Sequence, residues 1–189
     1  METLTKISVE EYLEQEAKNH YKSEYHAGEV IAMAGASINH NVVVRNLFKN
    51  LIFCTEENNC EIFASDMLVK IPACEKFVYP DLIILCKDRE LEKHKGIDVL
   101  LNPTIIIEVL SESTAHYDAH EKMECYFTLE SLKEYWLIDS EKIAIKGYKK
   151  QNENDWHLHL SKNPDEKIRI GECEILIKDI YLKTNLLTA

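Results

Sequence analysis

Two acidic residues of this chain lie in stretches that are otherwise apolar. Asp81 opens the second half of FVYPDLIILC, and Glu108 lies inside TIIIEVL; both stretches have the composition of buried strands. A carboxylate that is buried without a partner is costly. The sequence therefore predicts that each acid meets a basic side chain, a cation or water in a cleft.

If the two strands are neighbours in one sheet, both carboxylates can lie at the same end of it. Two close carboxylates cannot both stay ionised cheaply unless a cation lies between them. Oxygen ligands of this kind suit Mg²⁺ or Mn²⁺. Taken singly, each acid could instead make its own salt bridge or hydrogen bond, but the pair together favours a metal site.

Lys122 completes a set that could activate water. It follows Asp118 by four residues and precedes Tyr126 by four, so the three share one flank of a predicted helix. An ammonium beside two carboxylates can orient or help deprotonate an attacking water. The alternative is an ordinary surface pair between Asp118 and Lys122.

Other polar residues are weaker candidates for the site. His40 lies near a predicted helix start and could line the site or be structural, and Asp66 falls on an apolar strand face. The pairs His116–His120 and His157–His159 are more typical of surface histidines than of zinc ligands, because neither has a third soft ligand nearby. A group of lysines near the C-terminal strands is more typical of a solvated strand edge than of a DNA-binding surface: 142, 146, 149 and 150. If DNA binds, this group is the first place to look for it.

Length and composition indicate one domain over residues 1–189, with 46% hydrophobic residues to build its core. The formal charge of −11 argues against a generic nucleic-acid coat, because nonspecific affinity comes mostly from Lys and Arg. It does not exclude a nucleic-acid enzyme that uses a metal and a local basic rim. No apolar run is long enough to span a membrane.

The six cysteines share no CxxC spacing, and several lie in apolar surroundings. We expect free, buried thiols in a reducing compartment. The N-terminus lacks the pattern of a signal peptide, so the sequence predicts a cytoplasmic protein.

Periodicity and capping signals predict an α/β order. The expected helices cover about residues 8–22, 38–57, 113–130 and 178–183. The expected strands are a hairpin around Gly28, then 61–71, 77–86, 104–110 and 134–139, followed by a β-rich C-terminal extension. The charged segment 87–103 is expected to be a solvated loop.

Four motifs in this order resemble the Uma family of endonucleases: YKSEYHAGEVIAMAGASINHN, YPDLIIL, IIIEVLSEST and YDAHEKMECYFTLESLKEYWLID. This family belongs to the PD-(D/E)XK, restriction-endonuclease-like superfamily, and the resemblance covers about residues 8–150. It implies a mixed sheet flanked by helices, magnesium-dependent cleavage of phosphodiesters, and often a homodimer.

By position, the resemblance makes Asp81 the PD aspartate and Glu108 the acid of the (D/E)XK strand. Leu110 stands where the superfamily has its lysine, and Lys122 fits a relocated lysine on the following helix. Glu29 resembles the acid that the superfamily supplies from its N-terminal part.

The sequence thus predicts a metal-dependent endonuclease that acts on nucleic acid, with DNA the expected substrate. Asp81, Glu108 and the Val109 carbonyl would hold Mg²⁺ or Mn²⁺, and Lys122 would position the water. Glu29 would support a second ion or the water. His40, Asp66 and Tyr126 are candidates to line the site. The alternatives are an inactive binding or assembly module that keeps the fold, and a phosphohydrolase of small nucleotides.

Overall fold

The computed structural model describes residues 6–112, 115–153 and 155–187 and has a mixed α/β fold. The helices are α1 (Val9–Glu16), α2 (Ile38–Glu57), α3 (Ala115–Tyr117), α4 (Met123–Tyr126) and α5 (Ile177–Ile180), with a π-helical turn at Asp118–Lys122 between α3 and α4 and a 3-10 turn at Pro72–Cys74.

Fourteen strands are present in the described part of the chain. They are β1 (Ser23–His26), β2 (Glu29–Ala32), β3 (Glu61–Ala64), β4 (Leu68–Ile71), β5 (Lys76–Val78), β6 (Leu82–Leu85), β7 (Leu91–His94), β8 (Ile97–Leu100), β9 (Ile105–Leu110), β10 (Glu134–Asp139), β11 (Ile145–Lys150), β12 (Trp156–Ser161), β13 (Lys167–Ile170) and β14 (Cys173–Leu176).

The strands form two six-stranded mixed sheets and a C-terminal ribbon. Sheet A has the order β2-β1-β5-β4-β8-β7, and sheet B has the order β12-β11-β10-β9-β6-β3. Each sheet contains one parallel pair, β4 with β8 in sheet A and β9 with β10 in sheet B, and its other pairs are antiparallel. The ribbon pairs β13 with β14.

Three hydrophobic clusters stack these elements in layers. Residues of α1, including Tyr12 and Leu13, pack on one face of sheet A. The second cluster joins sheet A to sheet B and includes α4 residues such as Tyr126. The third packs α2, α5 and the C-terminal ribbon on the far face of sheet B. The interior of the molecule therefore lies between and on either side of two sheets.

Several local predictions are confirmed. Ser8 and Glu11 form the expected capping box at the start of α1, which ends at Glu16, earlier than predicted. Helix α2 covers residues 38–57 as expected. The hairpin of β1 and β2 turns through Ala27 and Gly28, both with positive φ (48° and 103°), and this conformation explains the glycine there.

Four element predictions are wrong. The expected strands 61–71 and 77–86 each divide into two short strands, one in each sheet. The expected loop at 87–103 contains the hairpin of β7 and β8 at an edge of sheet A. The predicted helix 113–130 is divided by the π-helical turn, and its first two residues lie outside the described range.

The expectation of free cysteines is also wrong. All six are paired, as Cys54–Cys173, Cys60–Cys86 and Cys74–Cys125. The first of these bonds ties α2 to β14, and the last ties the 3-10 turn before β5 to α4. Disulfides are uncommon in a reducing cytosol, so these bonds do not support the predicted cytoplasmic location, which stays a prediction. None of the helices in the described ranges is both long and apolar enough to cross a membrane.

Gly147 in β11 offers a direct test of the packing of sheet B. A Cβ atom built there would overlap the buried Trp136 ring of β10. We expect Gly147→Ala to lower the free energy of unfolding by about 1–3 kcal/mol, because the indole must shift. Urea denaturation checks this value. Gly35→Ala is the control, since nothing lies within 4 Å of a Cβ at that position, and equal stability of the two variants would contradict the packing.

The disulfides predict the outcome of thiol counting. Alkylation of the denatured protein without a reductant should add no labels, and alkylation after reduction should add six, one for each cysteine. Intact-mass spectrometry reads both numbers. Labels on all six cysteines of the unreduced protein would restore the expectation of free thiols.

Candidate functional site

The two strand acids come together where the chain passes from sheet A to sheet B. Asp81 follows β5 of sheet A and directly precedes β6 of sheet B, while Glu108 lies in β9, the neighbour of β6. The Asp81 Oδ2 atom accepts a hydrogen bond from the Val109 amide at 2.7 Å. The Glu108 Oε2 atom accepts one from the Asp81 amide at 3.3 Å. Each carboxylate therefore accepts a hydrogen bond from a main-chain amide at the other acid or at the residue next to it.

Lys122 reaches this pair from the π-helical turn. Its ammonium lies 3.0 Å from Glu108 Oε1 and 3.7 Å from Asp118 Oδ1. The Tyr126 hydroxyl donates to the same Glu108 oxygen at 3.1 Å. Lys122 and Glu108 are 4% and 3% exposed, so the contact between them is shielded from solvent. The structure thus places Lys122 and Tyr126 at Glu108, on the helix flank that their spacing predicts.

Glu24 is a further acid at this site that the sequence reasoning missed. Its Oε1 atom lies 3.1 Å from the Lys122 ammonium and accepts a hydrogen bond from the Tyr79 amide, also at 3.1 Å. Its Oε2 atom lies 3.1 Å from His26 Nε2. Glu24 and His26 are two residues apart in β1 and so share one face, while Tyr25 between them packs in the core next to α1. A polar face on a buried strand is the sequence signal that could have identified Glu24.

His40, at the N-terminal end of α2, contacts the other side of the acid pair. Its Nε2 atom lies 3.2 Å from Asp81 Oδ2. Burial opposes the charged imidazolium, but Asp81 and the Val109 backbone favour it, and the net effect raises the pKa of His40. The imidazole therefore contacts two of the three groups that were predicted to hold a metal.

Two predicted site residues lie apart from this cluster. Glu29 is exposed in β2, the edge strand of sheet A, across the turn from Glu24. Asp66 is exposed and pairs with Lys22 at 2.7 Å. Glu24, and not Glu29, is the hairpin acid that contacts Lys122, because β1 is buried against β5 while every residue of β2 is exposed.

The cluster contains more negative than positive charge. Burial is the largest cause that raises the pKa of Glu108; Lys122 opposes it, Asp118, Asp81 and Glu24 add to it, and the result is about 8. Burial also acts on Glu24, but Lys122, His26 and the Tyr79 amide outweigh it and lower the pKa of Glu24 to about 2.

The surrounding carboxyl groups keep Lys122 in its charged form. Burial disfavours its ammonium, but Glu108, Tyr126 and Glu24 around it raise its pKa well above the ordinary value. Lys122 therefore stays charged, and the excess negative charge leaves Glu108 as the group that holds a proton. A second cation at the carboxylates would displace that proton.

The donor atoms are oxygens of the type that magnesium binds. The described residues contain no group of three or more His, Cys, Asp or Glu arranged to hold a metal ion. Magnesium needs no such group, because it commonly keeps several waters and binds through one or two carboxylates. Two neighbouring carboxylates with excess negative charge, Asp81 and Glu108, fit that requirement.

A family model described as "Uma2: Putative restriction endonuclease" matches residues 9–173. The chain belongs to the Uma2 family. Two curated relatives of this Uma2 chain come from Synechocystis sp. (strain ATCC 27184 / PCC 6803 / Kazusa). The uncharacterized protein sll1609 is 37% identical over 152 residues, which are 80% of this chain and 85% of the relative. The uncharacterized protein slr1290 is 34% identical over 153 residues, covering 80% of this chain and 78% of the relative.

A solved structure from Anabaena variabilis has a similar fold. It is described as a "putative nuclease belonging to DUF820" and superposes with a TM-score of 0.69 at 18% sequence identity, covering 89% of this chain and 96% of that one. The likeness confirms the predicted fold class, a restriction-endonuclease-like core of mixed sheet and helices with a β-rich C-terminal extension. The predicted family is confirmed by the Uma2 match.

The raised pKa of Glu108 predicts how stability depends on pH without metal. The folded protein keeps a proton up to about pH 8, whereas an unfolded chain releases it near the ordinary 4.5. The free energy of unfolding should therefore fall between these pH values by up to about 1.4 kcal/mol per pH unit. The raised pKa of His40 acts in the same direction, because that stabilisation is also lost as the pH rises.

Comparison with Glu108→Gln isolates the carboxyl group. The glutamine cannot ionise, so we expect its unfolding free energy to decline less steeply from pH 5.5 to 7.5. Urea denaturation at several pH values in EDTA measures both proteins. Parallel curves would show that Glu108 titrates as an ordinary acid.

Proposed function

We propose that this Uma2 protein is a metal-dependent endonuclease that hydrolyses phosphodiester bonds, with DNA as its substrate. The observation that carries the proposal is the 3.0 Å contact between Lys122 and Glu108, beside Asp81. It restores an acid–acid–lysine set although Leu110 stands where the superfamily has its lysine. The family description and the nuclease fold of the Anabaena protein support the same conclusion.

Asp81 and Glu108, with the Val109 carbonyl, would hold Mg²⁺ or Mn²⁺. The ion, when bound, would polarise a phosphoryl oxygen and lower the pKa of a bound water. His40 contacts Asp81 Oδ2 and the Val109 backbone. It therefore either orients these groups for the ion or gives up its contacts with them when the ion binds. Either role makes His40 part of the site.

Lys122 and Glu24 would act on the water and the phosphate. Because the Lys122 pKa is raised, the ammonium stays protonated and acts by orienting water and stabilising negative charge. Glu24 holds that ammonium at 3.1 Å. The water oxygen would form a bond to phosphorus while the bond from phosphorus to one sugar oxygen breaks. The water gives up one proton and the departing sugar oxygen takes one up, which leaves a free hydroxyl and a phosphate end.

We further propose that the chain forms a homodimer through the open edge of sheet A. Strand β2 has no neighbouring strand on its outer side among the described residues, and residues 30–39 carry no charge. Several apolar side chains in this segment are exposed: Val30 (41%), Ile31 (46%), Met33 (39%) and Ile38 (83%). Two acidic chains repel each other least where their surfaces are uncharged, so this edge is the surface on which a second copy fits.

Glu24 and Glu29 form a matched pair for testing the proposed chemistry. Incubation of the purified protein with single- and double-stranded DNA and Mg²⁺ or Mn²⁺ should yield strand cleavage, scored on denaturing gels. We expect Glu24→Gln to slow cleavage about a hundredfold or more, because Lys122 loses a contact that holds it. Glu29→Gln, which changes the same residue type in the same hairpin, should stay within about twofold of wild type.

Asp81→Asn and Lys122→Met extend the test to the central residues, and both should abolish cleavage. Circular dichroism checks that each variant is folded. If the wild type cleaves no substrate and calorimetry detects no Mg²⁺ or Mn²⁺ binding that depends on Glu108, the alternative of an inactive module with a nuclease fold is favoured.

A further inference from the structure

Lys76 in β5 is a cation beside the site that pairs with no acid among the described residues. Its main chain pairs with His26, so it lies next to the strand that carries Glu24. Its ammonium donates to the Tyr117 hydroxyl at 2.9 Å and lies 4.7 Å from the centre of that ring. Lys122, by contrast, lies among three carboxylates.

A continuous series of contacts joins Lys76 to the catalytic cluster. The Tyr117 hydroxyl lies 3.2 Å from His26 Nε2, and the two rings stack with centroids 5.3 Å apart. The same His26 nitrogen lies 3.1 Å from Glu24, which in turn contacts Lys122 at 3.1 Å. Lys76 and Tyr117 are therefore positioned by the groups that position Lys122.

Lys76, Tyr117 and His26 carry more hydrogen-bond donors than the described residues around them have acceptors for. An ammonium has three N–H groups, and the Tyr117 oxygen takes one of those of Lys76. The His26 Nε2–H points to the ionised Glu24 carboxylate, so it cannot accept the Tyr117 hydrogen. The hydroxyl hydrogen and two ammonium hydrogens are left without an acceptor among the described residues.

We propose that Lys76 and Tyr117 form a phosphate-binding subsite that holds a backbone phosphate of a nucleic-acid strand next to the one being cleaved. The inference rests on the proposed nuclease function and adds a binding contact to it. A phosphodiester oxygen supplies the acceptors that these donors lack, and its negative charge pairs with the unpaired ammonium.

The surroundings of both residues favour an anion. Burial lowers the pKa of Lys76, Glu121 and Glu24 counter it, and Lys122 adds to it, so the ammonium is less favourable here than in water. A bound phosphate would relieve that cost. Burial and nearby Glu24 raise the pKa of Tyr117, so its hydroxyl keeps the proton that it would donate. The Tyr117 hydroxyl thus stays in the protonation state that donates to phosphate.

Lys76→Met tests the subsite, because it removes the charge but keeps most of the side-chain length. Binding of fluorescein-labelled single-stranded and duplex DNA is measured by anisotropy, with Ca²⁺ replacing Mg²⁺ to suppress cleavage. We expect an affinity loss of about tenfold for whichever DNA form the wild type binds. The slope of log K against log salt should become shallower by about 0.7 to 0.9, since one phosphate contact is lost.

Lys93→Met is the matched control, because Lys93 is exposed in β7 at the far edge of the same sheet and its loss changes the net charge equally. It should leave both affinity and salt slope near the wild-type values. Tyr117→Phe removes the hydroxyl donor but keeps the ring and should weaken binding less than Lys76→Met. Thermal unfolding verifies that all three variants are folded.

Oligonucleotides with one neutral methylphosphonate linkage identify the contact itself. Moved along the strand, the substitution should weaken wild-type binding at one position near the cleavage point, and that effect should disappear in Lys76→Met. Equal affinities and salt slopes for Lys76→Met and Lys93→Met would overturn the subsite while leaving nuclease activity intact. A wild type that binds no DNA would overturn the subsite together with the proposed function.

Discussion

The site depends on one buried ammonium. Lys122 lies within ion-pair distance of Glu24 in sheet A, Glu108 in sheet B and Asp118 in its own helical segment. Removing one partner of a buried ion pair leaves an uncompensated charge and is strongly destabilising. These three contacts therefore bind two sheets and the helical segment to each other at the point where the chemistry is proposed.

The division of the predicted strands 61–71 and 77–86 between the two sheets also positions the site. The chain leaves sheet A after β5, passes through Tyr79, Pro80 and Asp81, and enters sheet B at β6. Continuous strands over 61–71 and 77–86 would have kept each segment in a single sheet. The crossing places Asp81 at the junction, where its amide and carboxylate both bond to β9. The break in regular structure is thus what positions the acid.

Sequence reasoning located the elements whose signals are local. The capping box of Ser8 and Glu11, the spacing of apolar residues in α2 and the pairing of Asp81 with Glu108 could be inferred because each depends on neighbouring residues or on the cost of burying charge. The position of Lys122 followed from helical spacing and from the family resemblance.

What the sequence could not supply depends on long-range packing. Glu24 and Glu29 belong to the same residue type and the same hairpin, and only the pairing of β1 with β5 shows which of them is buried. The disulfides likewise join residues 26 to 119 positions apart, and no local spacing marks those pairs. Ser65-Asp66 and Pro80 are turn signals within the apolar runs, and giving them more weight would have predicted both strand divisions.

The charge of the chain limits how it can recognise a nucleic acid. With 33 acidic against 22 basic residues, long-range attraction to a polyanion is absent, and many of the described lysines are already paired with carboxylates. Under the proposed function, recognition would come from short-range contacts at the site itself, through the proposed divalent cation and through cations without acidic partners among the described residues. Such contacts form only when the nucleic acid is already close to the site. A substrate that is held in place or locally open therefore makes them more readily than one that has to be captured by diffusion along a charged surface.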